Sequence, residues 1–209
     1  TYQRNKDNIL KEYKFIVPCM NTDKICVFTN LGLMHQIKVL DIPAGKFRDK
    51  GVPIDNLCNY DSAKEYIIQV LDAQTMIHST LLFATAKSML KVMDGDLLNA
   101  SKRTVQATKL SEDELVAVIV ADWSEESEDK VVLQTKDGVF LKFPYAEIPK
   151  KKKSALGVRG MKLSKDDLIT NVYVMDAQNI SSIMYKEKEL EFNRLKLSKR
   201  DTKGTKVRR

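Results

Sequence analysis

Clusters of Lys and Arg recur along the 209-residue chain, and they are of the type that neutralises the phosphates of a polyanion. Ammonium and guanidinium groups contact backbone phosphates without reading base sequence, so such contacts give affinity rather than specificity. The candidate polyanion-binding residues are Lys46, Arg48, Lys50, Lys102, Arg103, Lys150, Lys151, Lys152, Lys153, Arg159, Lys199, Arg200 and Lys203.

The positive charge is concentrated outside one acidic stretch. The chain has 35 Lys and Arg against 28 Asp and Glu, which gives a formal net charge of +7. Residues 111–129 contain eight acids and no base, so the other 190 residues carry 35 bases against 20 acids, or +15. The stretch is interpreted as a solvated loop, and the alternative is an intramolecular competitor for the basic surface.

Residue types that perform catalysis or bind metals are present without a recognisable pattern. The two His, His35 and His78, and the three Cys, Cys19, Cys26 and Cys58, lack metal-ligand spacing. No Walker loop and no Gly-x-Gly-x-x-Gly motif occurs. The odd number of scattered Cys favours buried thiols in a reducing cytoplasm over a disulfide framework. We therefore predict no catalytic residue, no metal site and no cofactor.

The basic clusters must be positioned by a repeat of about 50 residues. Apolar runs flank short turns centred on Gly32, Ser88, Gly138 and Lys188, at spacings of 56, 50 and 50 residues. Gly at a tight hairpin turn supplies the positive φ that the turn requires. Each hairpin is followed by a loop with one of the basic clusters, so the clusters occupy the same place in every repeat.

Each repeat is predicted to contain about four strands. Beyond the hairpins, strands are expected at 52–57, 105–110 and 158–163, at 66–71, 115–120 and 168–174, and, as a leading strand, at 16–20. Helices are the alternative at 64–71, 72–80 and 187–195, but we weigh the repetition above local propensity.

Four strands in about 50 residues is the size of one propeller blade. The chain is therefore predicted to be all-β, a single domain over residues 1–209 with about four four-stranded blades in a disc that need not be closed or complete. The repeats are placed at about 16–66, 67–115, 116–168 and 169–209. Because equivalent loops of a radial repeat lie on one rim, the basic clusters are expected to form a continuous positive track. The alternative is that they only keep strand edges soluble.

Three stretches resemble a known family. The sequence F-T-N-L-G at 28–32 leads to K-V-L-D-I-P at 38–43, K-G-V-P-I-D-N-L occupies 50–57, and A-L-G-V-R-G-M-K-L occupies 155–163. Together they resemble the C-terminal domain of bacterial type IIA topoisomerase A subunits, meaning the A subunits of DNA gyrase and of topoisomerase IV. The resemblance covers roughly residues 8–204. The family's basic heptad, Q-R-R-G-G-K-G, is absent from the sequence.

The resemblance implies a β-pinwheel, a disc in which neighbouring blades exchange strands. It also implies non-sequence-specific binding of double-stranded DNA along the basic perimeter, with bending or wrapping that supports supercoiling and changes of DNA topology. The implied partners are duplex DNA, the ATPase subunit of the heterotetramer, and the rest of the topoisomerase A subunit. The implied location is cytoplasmic, on the nucleoid, without a membrane. The catalytic Tyr, ATPase and magnesium sites of that enzyme lie outside this domain type, so the chain by itself is not expected to be an enzyme.

Two points of this interpretation have alternatives. A propeller-like module that binds other proteins without wrapping DNA is the rival function. Thr1 is not an initiating Met, so we expect a processing boundary there, and the residues before it would distinguish gyrase from topoisomerase IV. Ser88 and Gln106 replace glycines of the repeat, which predicts a less regular second blade.

Overall fold

The computed structural model describes residues 9, 11–46 and 48–208, and most of its regular secondary structure is β-strand. The strands are β1 Lys24–Thr29, β2 Leu33–Lys38, β3 Ile67–Asp72, β4 Thr80–Thr85, β5 Met89–Asp94, β6 Thr104–Gln106, β7 Leu115–Val120, β8 Lys130–Thr135, β9 Val139–Pro144, β10 Val158–Arg159, β11 Ile169–Val174, β12 Ser182–Tyr185, β13 Lys188–Glu191 and β14 Thr205–Lys206. The α-helix α1 spans Ala73–Ile77, and short 3-10 turns follow the hairpins.

The strands of the described part form three four-stranded antiparallel sheets and one two-stranded hairpin. The sheet orders are β3-β1-β2-β6, β10-β5-β4-β7 and β11-β8-β9-β14, and β12 pairs with β13 alone. We call these four units blades 1 to 4. The expected all-β fold of repeated blades is confirmed, and the disc is not closed. Among the described residues blade 4 contains only its two-stranded hairpin, which agrees with the expectation of about four blades in a disc that need not be complete.

Neighbouring blades exchange strands, as the pinwheel interpretation requires. The hairpin of blade 2 is followed by β6, which pairs with β2 of blade 1. In the same way β10 returns from blade 3 to β5, and β14 returns from blade 4 to β9. We call the three stretches that lead back, residues 99–106, 149–160 and 196–206, the crossing segments. Each of blades 1 to 3 is therefore completed by a strand from the repeat that follows it.

The hairpin turns and the returning strands are joined by one recurring contact. Gly32, Ser88 and Gly138 have φ values of 71°, 67° and 77°. The carbonyl of each accepts a backbone hydrogen bond from the returning chain: from Ala107 at 2.8 Å, from Gly160 at 2.7 Å and from Val207 at 3.0 Å. Ser88 also accepts a hydrogen bond from the Met161 amide on its Oγ, at 2.8 Å. Blade 2 therefore keeps the same turn geometry without a glycine.

The hydrophobic core lies between successive blades rather than at one centre. One buried cluster joins blades 1 and 2, where Phe28 and Phe83 meet edge to face with ring centroids 6.1 Å apart. A second joins blades 2 and 3 around Leu82, Leu133 and Phe143, and a smaller cluster joins blades 3 and 4. Alternating strand residues supply these faces. Inter-blade packing thus fixes the angle between the basic crossing segments.

Several predicted elements were wrong, each because a partner or a cap decides the local structure. No strand forms at 52–57, where a 3-10 turn occupies Ile54–Asn56, or at 16–20. A crossing strand exists only by pairing with the preceding blade, and the described chain has none before blade 1. The fourth turn lies at Lys186–Glu187, both with positive φ, and not at Lys188, which begins β13.

Residues 73–77 are helical although the repeat favoured a strand. The Asp72 side chain accepts a hydrogen bond from the Thr75 amide at 2.8 Å, which is an N-cap contact. Met76 and Ala73 bury the apolar side of this single turn. The weight placed on repetition was right at 67–72 and 188–191, which are strands, and wrong at 73–77.

Candidate nucleic-acid interface

The three crossing segments carry basic clusters to equivalent places on successive blades. Each lies along the second hairpin strand of the preceding blade. Three backbone hydrogen bonds show this. The backbone N–H of Gln36 donates to the Arg103 carbonyl at 2.7 Å, that of Lys151 to the Val92 carbonyl at 2.8 Å, and that of Ser198 to the Lys142 carbonyl at 2.9 Å. The geometry therefore repeats one basic segment three times around the blades, as the sequence register predicted.

The first basic cluster lies elsewhere. Lys46, Arg48 and Lys50 are exposed in the long loop between β2 and β3. The backbone amide of Lys46 donates to Asp49 Oδ2 at 2.7 Å. No earlier blade is present in the described residues to receive this segment, so its place on the rim is not fixed by strand pairing.

Most of the candidate side chains carry an unneutralised charge. Among the described residues they are without an ion pair, and all but the half-buried Lys153 are exposed. This set comprises Lys46, Arg48, Lys50, Lys102, Arg103, Lys151, Lys152, Lys153, Lys199 and Lys203. A row of exposed, unpaired ammonium and guanidinium groups can receive phosphate oxygens without first breaking an internal contact.

Lys150 differs from the other lysines of its run. Its Nζ lies 2.8 Å from Asp94 Oδ1 and 5.8 Å from the centroid of the Trp123 ring. Trp123 itself packs against the core of blades 2 and 3, and its buried Nε1 has no hydrogen-bond partner in the described part of the chain. Lys150 therefore anchors the start of its crossing segment to blade 2.

Arg159 and Arg200 also make internal contacts. The Arg159 Nε lies 2.5 Å from Asp201 Oδ1, and the pair raises the pKa of Arg159 and lowers the pKa of Asp201. Arg200 donates through Nε to the Glu147 carbonyl at 3.0 Å and through a terminal nitrogen to the Arg159 carbonyl at 2.6 Å. These two guanidinium groups join the last two crossing segments to each other.

Two side chains that hold the crossing segments were missed by the sequence analysis. Gln36 donates from Nε2 to the carbonyls of Ala100 and Lys102, at 2.9 and 2.6 Å. Lys91, only 1% exposed, donates to three carbonyls of the segment 149–160. The available signal for Lys91 was a lysine between apolar residues of β5, whereas Gln36 did not stand out because β2 also contains His35 and Lys38.

The acidic stretch includes residues that stabilise local backbone. Asp113 Oδ1 accepts from the Lys87 amide at 3.0 Å, and the carboxylate of Asp129 accepts from the amides of Asp176 and Ala177 at 2.9 and 3.0 Å. Asp122 lies with Asp94 and Asp96 in a cleft beside Trp123. The interpretation as a solvated loop thus omitted a structural role for some of these carboxylates.

The remaining chemically active residue types are buried or scattered. His35 is 1% exposed, with Nε2 at 3.0 Å from Glu65 and Nδ1 at 2.9 Å from Thr104 Oγ1, so it ties β6 to blade 1. The three Cys are unpaired: Cys26 and Cys58 are buried, whereas Cys19 is exposed, so the prediction of buried thiols was wrong at Cys19. Burial raises the pKa of Cys26 to about 12. Within the described ranges no group of three or more His, Cys, Asp or Glu could hold a metal ion, and no helix there could cross a membrane.

Comparison with known proteins places this geometry in a family. The sequence model for "DNA gyrase C-terminal domain, beta-propeller" matches residues 23–62, 79–122 and 129–174. The DNA gyrase A subunit of Chlamydia pneumoniae is 31% identical over 159 residues, covering 74% of this chain and 18% of that protein. The protein of the same name from Chlamydia muridarum is 30% identical over 174 residues, covering 80% and 20%. The chain thus spans about a fifth of the length of these relatives.

Solved structures share the fold at lower identity. The C-terminal domain of DNA topoisomerase IV superposes with a TM-score of 0.81 at 20% identity, over 99% of this chain and 66% of that one. The C-terminal domain of Escherichia coli ParC gives a TM-score of 0.70 at 17% identity, over 91% and 78%. From the matched repeats and the strand exchange, the chain belongs to the family of DNA gyrase C-terminal domains.

Proposed function

We propose that the chain is a domain of a type IIA topoisomerase A subunit that binds and bends double-stranded DNA without sequence specificity. The observation that carries the proposal is the repetition of the basic segment: three crossing segments present exposed, unpaired bases at equivalent places on successive blades. A curved row of phosphate-binding groups suits a bent polyanion better than a straight one. In the complete enzyme this bending would support supercoiling and other changes of DNA topology.

Binding would be driven by release of counterions from the phosphates. Each phosphate contact contributes about −0.9 to the slope of log affinity against log salt. Bending 20–30 bp costs about 1–6 kcal/mol by smooth elastic estimates, so several contacts must form together around the rim. The spacing of the segments by rigid inter-blade cores lets the protein supply those contacts without reorganising.

The proposed contact residues are those whose charge is unpaired. They are Lys46, Arg48, Lys50, Lys102, Arg103, Lys151, Lys152, Lys153, Lys199 and Lys203. Lys150, Arg159 and Arg200 would contribute mainly by holding the segments in place, because each is engaged with Asp94, Asp201 or backbone carbonyls.

The proposal extends to the assembly in which the domain would work. The partners would be duplex DNA, the ATPase subunit, and the remainder of the topoisomerase A subunit, in the cytoplasm and on the nucleoid. Cleavage and ATP hydrolysis would be carried out elsewhere in that assembly, so the domain would not be an enzyme by itself.

Removing two exposed lysines of the second crossing segment tests the proposal. The double variant Lys151→Ala/Lys152→Ala should bind duplex DNA more weakly, with the salt slope less steep by about 2, because two phosphate contacts are lost. The measurement is the affinity for a long duplex by fluorescence anisotropy at several salt concentrations.

A matched control isolates position from net charge. The double variant Lys87→Ala/Lys136→Ala removes the same charge from exposed residues in the hairpin turns of blades 2 and 3. Its slope should stay close to that of the unmodified chain. Equal losses in both variants would mean that the crossing segment has no special role.

A protein-interaction module is the second candidate because one surface favours it. An apolar groove of about 790 Å³ on blade 1 is lined by residues that include Val17, Val39, Leu40 and Ile42, and Leu40 is 71% exposed. An exposed groove of this kind is typical of a protein contact. The dependence of binding on DNA length, considered below, separates the two candidates.

A further inference from the structure

A buried lysine holds the second crossing segment from beneath. Lys91 lies on β5, and its side chain is almost entirely enclosed, with 1% of the residue exposed. Its Nζ donates to the carbonyl oxygens of Ala155 at 2.7 Å, Lys153 at 2.9 Å and Lys152 at 3.3 Å. Three acceptors match the three N–H groups of an ammonium ion.

The charge of Lys91 is balanced by backbone dipoles and by the face of an aromatic ring. No ion pair of Lys91 is found among the described residues, and its Nζ lies over the Phe83 ring, 6.0 Å from the centroid. Burial lowers the pKa of Lys91 to about 8. A buried cation is costly unless its hydrogen bonds are made, so the three carbonyls are strongly constrained to face it.

The segment above Lys91 needs such a constraint. Lys150, Lys151, Lys152 and Lys153 are consecutive like charges, which repel one another and favour open conformations of the loop. The start of the segment is held by the Lys150–Asp94 ion pair and by the bond from the Lys151 backbone amide to the Val92 carbonyl. Over residues 152–155 the backbone bonds are those from the Ala155 amide to the Lys152 carbonyl at 3.1 Å and from the Lys109 amide to the Lys153 carbonyl at 3.3 Å. These bonds are few for a segment that must stay in one place.

We propose that Lys91 is the positioning residue of this segment, turning its carbonyls inward so that the ammonium groups of Lys151 and Lys152 stay on the surface for phosphate binding. The phosphate-binding part rests on the function proposed above. The first blade has a comparable arrangement, because Gln36 reaches from β2 to two carbonyls of its own crossing segment. A side-chain donor beneath a basic segment thus occurs in two blades, with different residue types.

Trypsin offers a readout of this contact that does not depend on DNA, since it cleaves after Lys when a loop can open. Lys91→Met keeps the volume and removes the donor, and it should raise the rate of cleavage after Lys151 and Lys152 at least about tenfold, because several charged hydrogen bonds are lost. Lys91→Gln keeps a donor and should fall between Lys91→Met and the unmodified chain. Lys136→Met, on the surface, should change nothing.

The affinity for duplex DNA is measured with the same variants. Lys91→Met should weaken duplex affinity several-fold although every exposed base is still present, whereas a role in general stability alone would leave the affinity of the folded fraction unchanged. An unchanged cleavage rate would overturn the positioning role. Faster cleavage with unchanged affinity would restrict Lys91 to holding the loop and overturn its link to DNA.

Two results separate this inference from the function on which it rests. If the unmodified chain and the Lys151→Ala/Lys152→Ala variant both fail to bind DNA, the proposed function falls while the cleavage experiment still decides the contact. If Lys91→Met does not fold, the buried contact of Lys91 is tested instead by acetylating the unmodified chain and following each lysine by mass spectrometry. Lys91 should then react at least about tenfold more slowly than Lys151, and equal rates would contradict the buried contact.

Discussion

Gly32 shows how one residue joins two repeats. Its φ of 71° is costly for a side-chain residue, and a Cβ there would lie 2.9 Å from the Thr108 carbonyl oxygen. Gly32→Ala should therefore lower the free energy of unfolding by roughly 1–3 kcal/mol. Urea denaturation measures this, with Gly51→Ala as the control, since a Cβ at Gly51 meets nothing within 4 Å. Equal effects at both glycines would contradict the role of the turn.

Lys91 also predicts a dependence of stability on pH. Its pKa is lowered to about 8 in the folded chain, whereas an unfolded lysine has a pKa of about 10.4. Between these values the unfolded state binds more protons, so stability should rise as the pH increases from about 8 to about 10, by up to about 3 kcal/mol. Thermal unfolding of the unmodified chain and of Lys91→Met across this range gives the difference. Parallel curves would show that Lys91 does not titrate in this way.

Residue positions were predicted better than residue roles. The register of the repeat correctly brought Lys102, Lys151 and Lys199 to equivalent segments, because strand pairing follows the hydrophobic pattern. The engagement of Lys150 with Asp94, and of Arg200 with Glu147, could not be predicted, because those partners lie about 50 residues away in the sequence and meet only through strand exchange.

At the scale of elements, the blades are held together by packing between their sheets. Phe83 is 2% exposed and contacts Phe28 of the neighbouring blade. Phe83→Ala should cost roughly 3–5 kcal/mol, because a buried aromatic ring is lost and a cavity remains. Chemical denaturation measures the loss, and Met184→Ala, at a residue 70% exposed, is the control with a change near zero. A small loss at Phe83 would mean that the blades stand independently.

The elements that were predicted correctly are those that their own sequence determines. The first three hairpins have apolar runs on both sides of a turn, and β7 occupies Leu115–Val120 as expected. The two failures have different causes. The Asp72 cap, a local signal, makes residues 73–77 helical although the repeat was given more weight. Residues 52–57 depend on something outside the segment, because the described part of the chain has no preceding blade with which they could pair.

For the whole molecule, the arrangement of the crossing segments predicts that binding depends on DNA length. A duplex of about 15 bp can contact one or two segments, whereas one of about 150 bp, near the persistence length, can follow the rim. The longer duplex should bind more tightly per molecule and should migrate as a bent complex in a gel. Equal affinity per site and no bending would favour the protein-interaction module.

Strand exchange also has a consequence for synthesis of the chain on the ribosome. The strand β6, which completes blade 1, begins 66 residues after β2 ends. At about 5–20 residues per second, the edge of β2 therefore waits at least several seconds for its partner. The nascent chain exposes the edges of at most two successive hairpins at a time, because β5 is complete at Asp94 before β6 begins at Thr104, and each new repeat covers the edge left by the one before it. Folding should thus advance blade by blade behind translation, with the most recent hairpins the vulnerable ones.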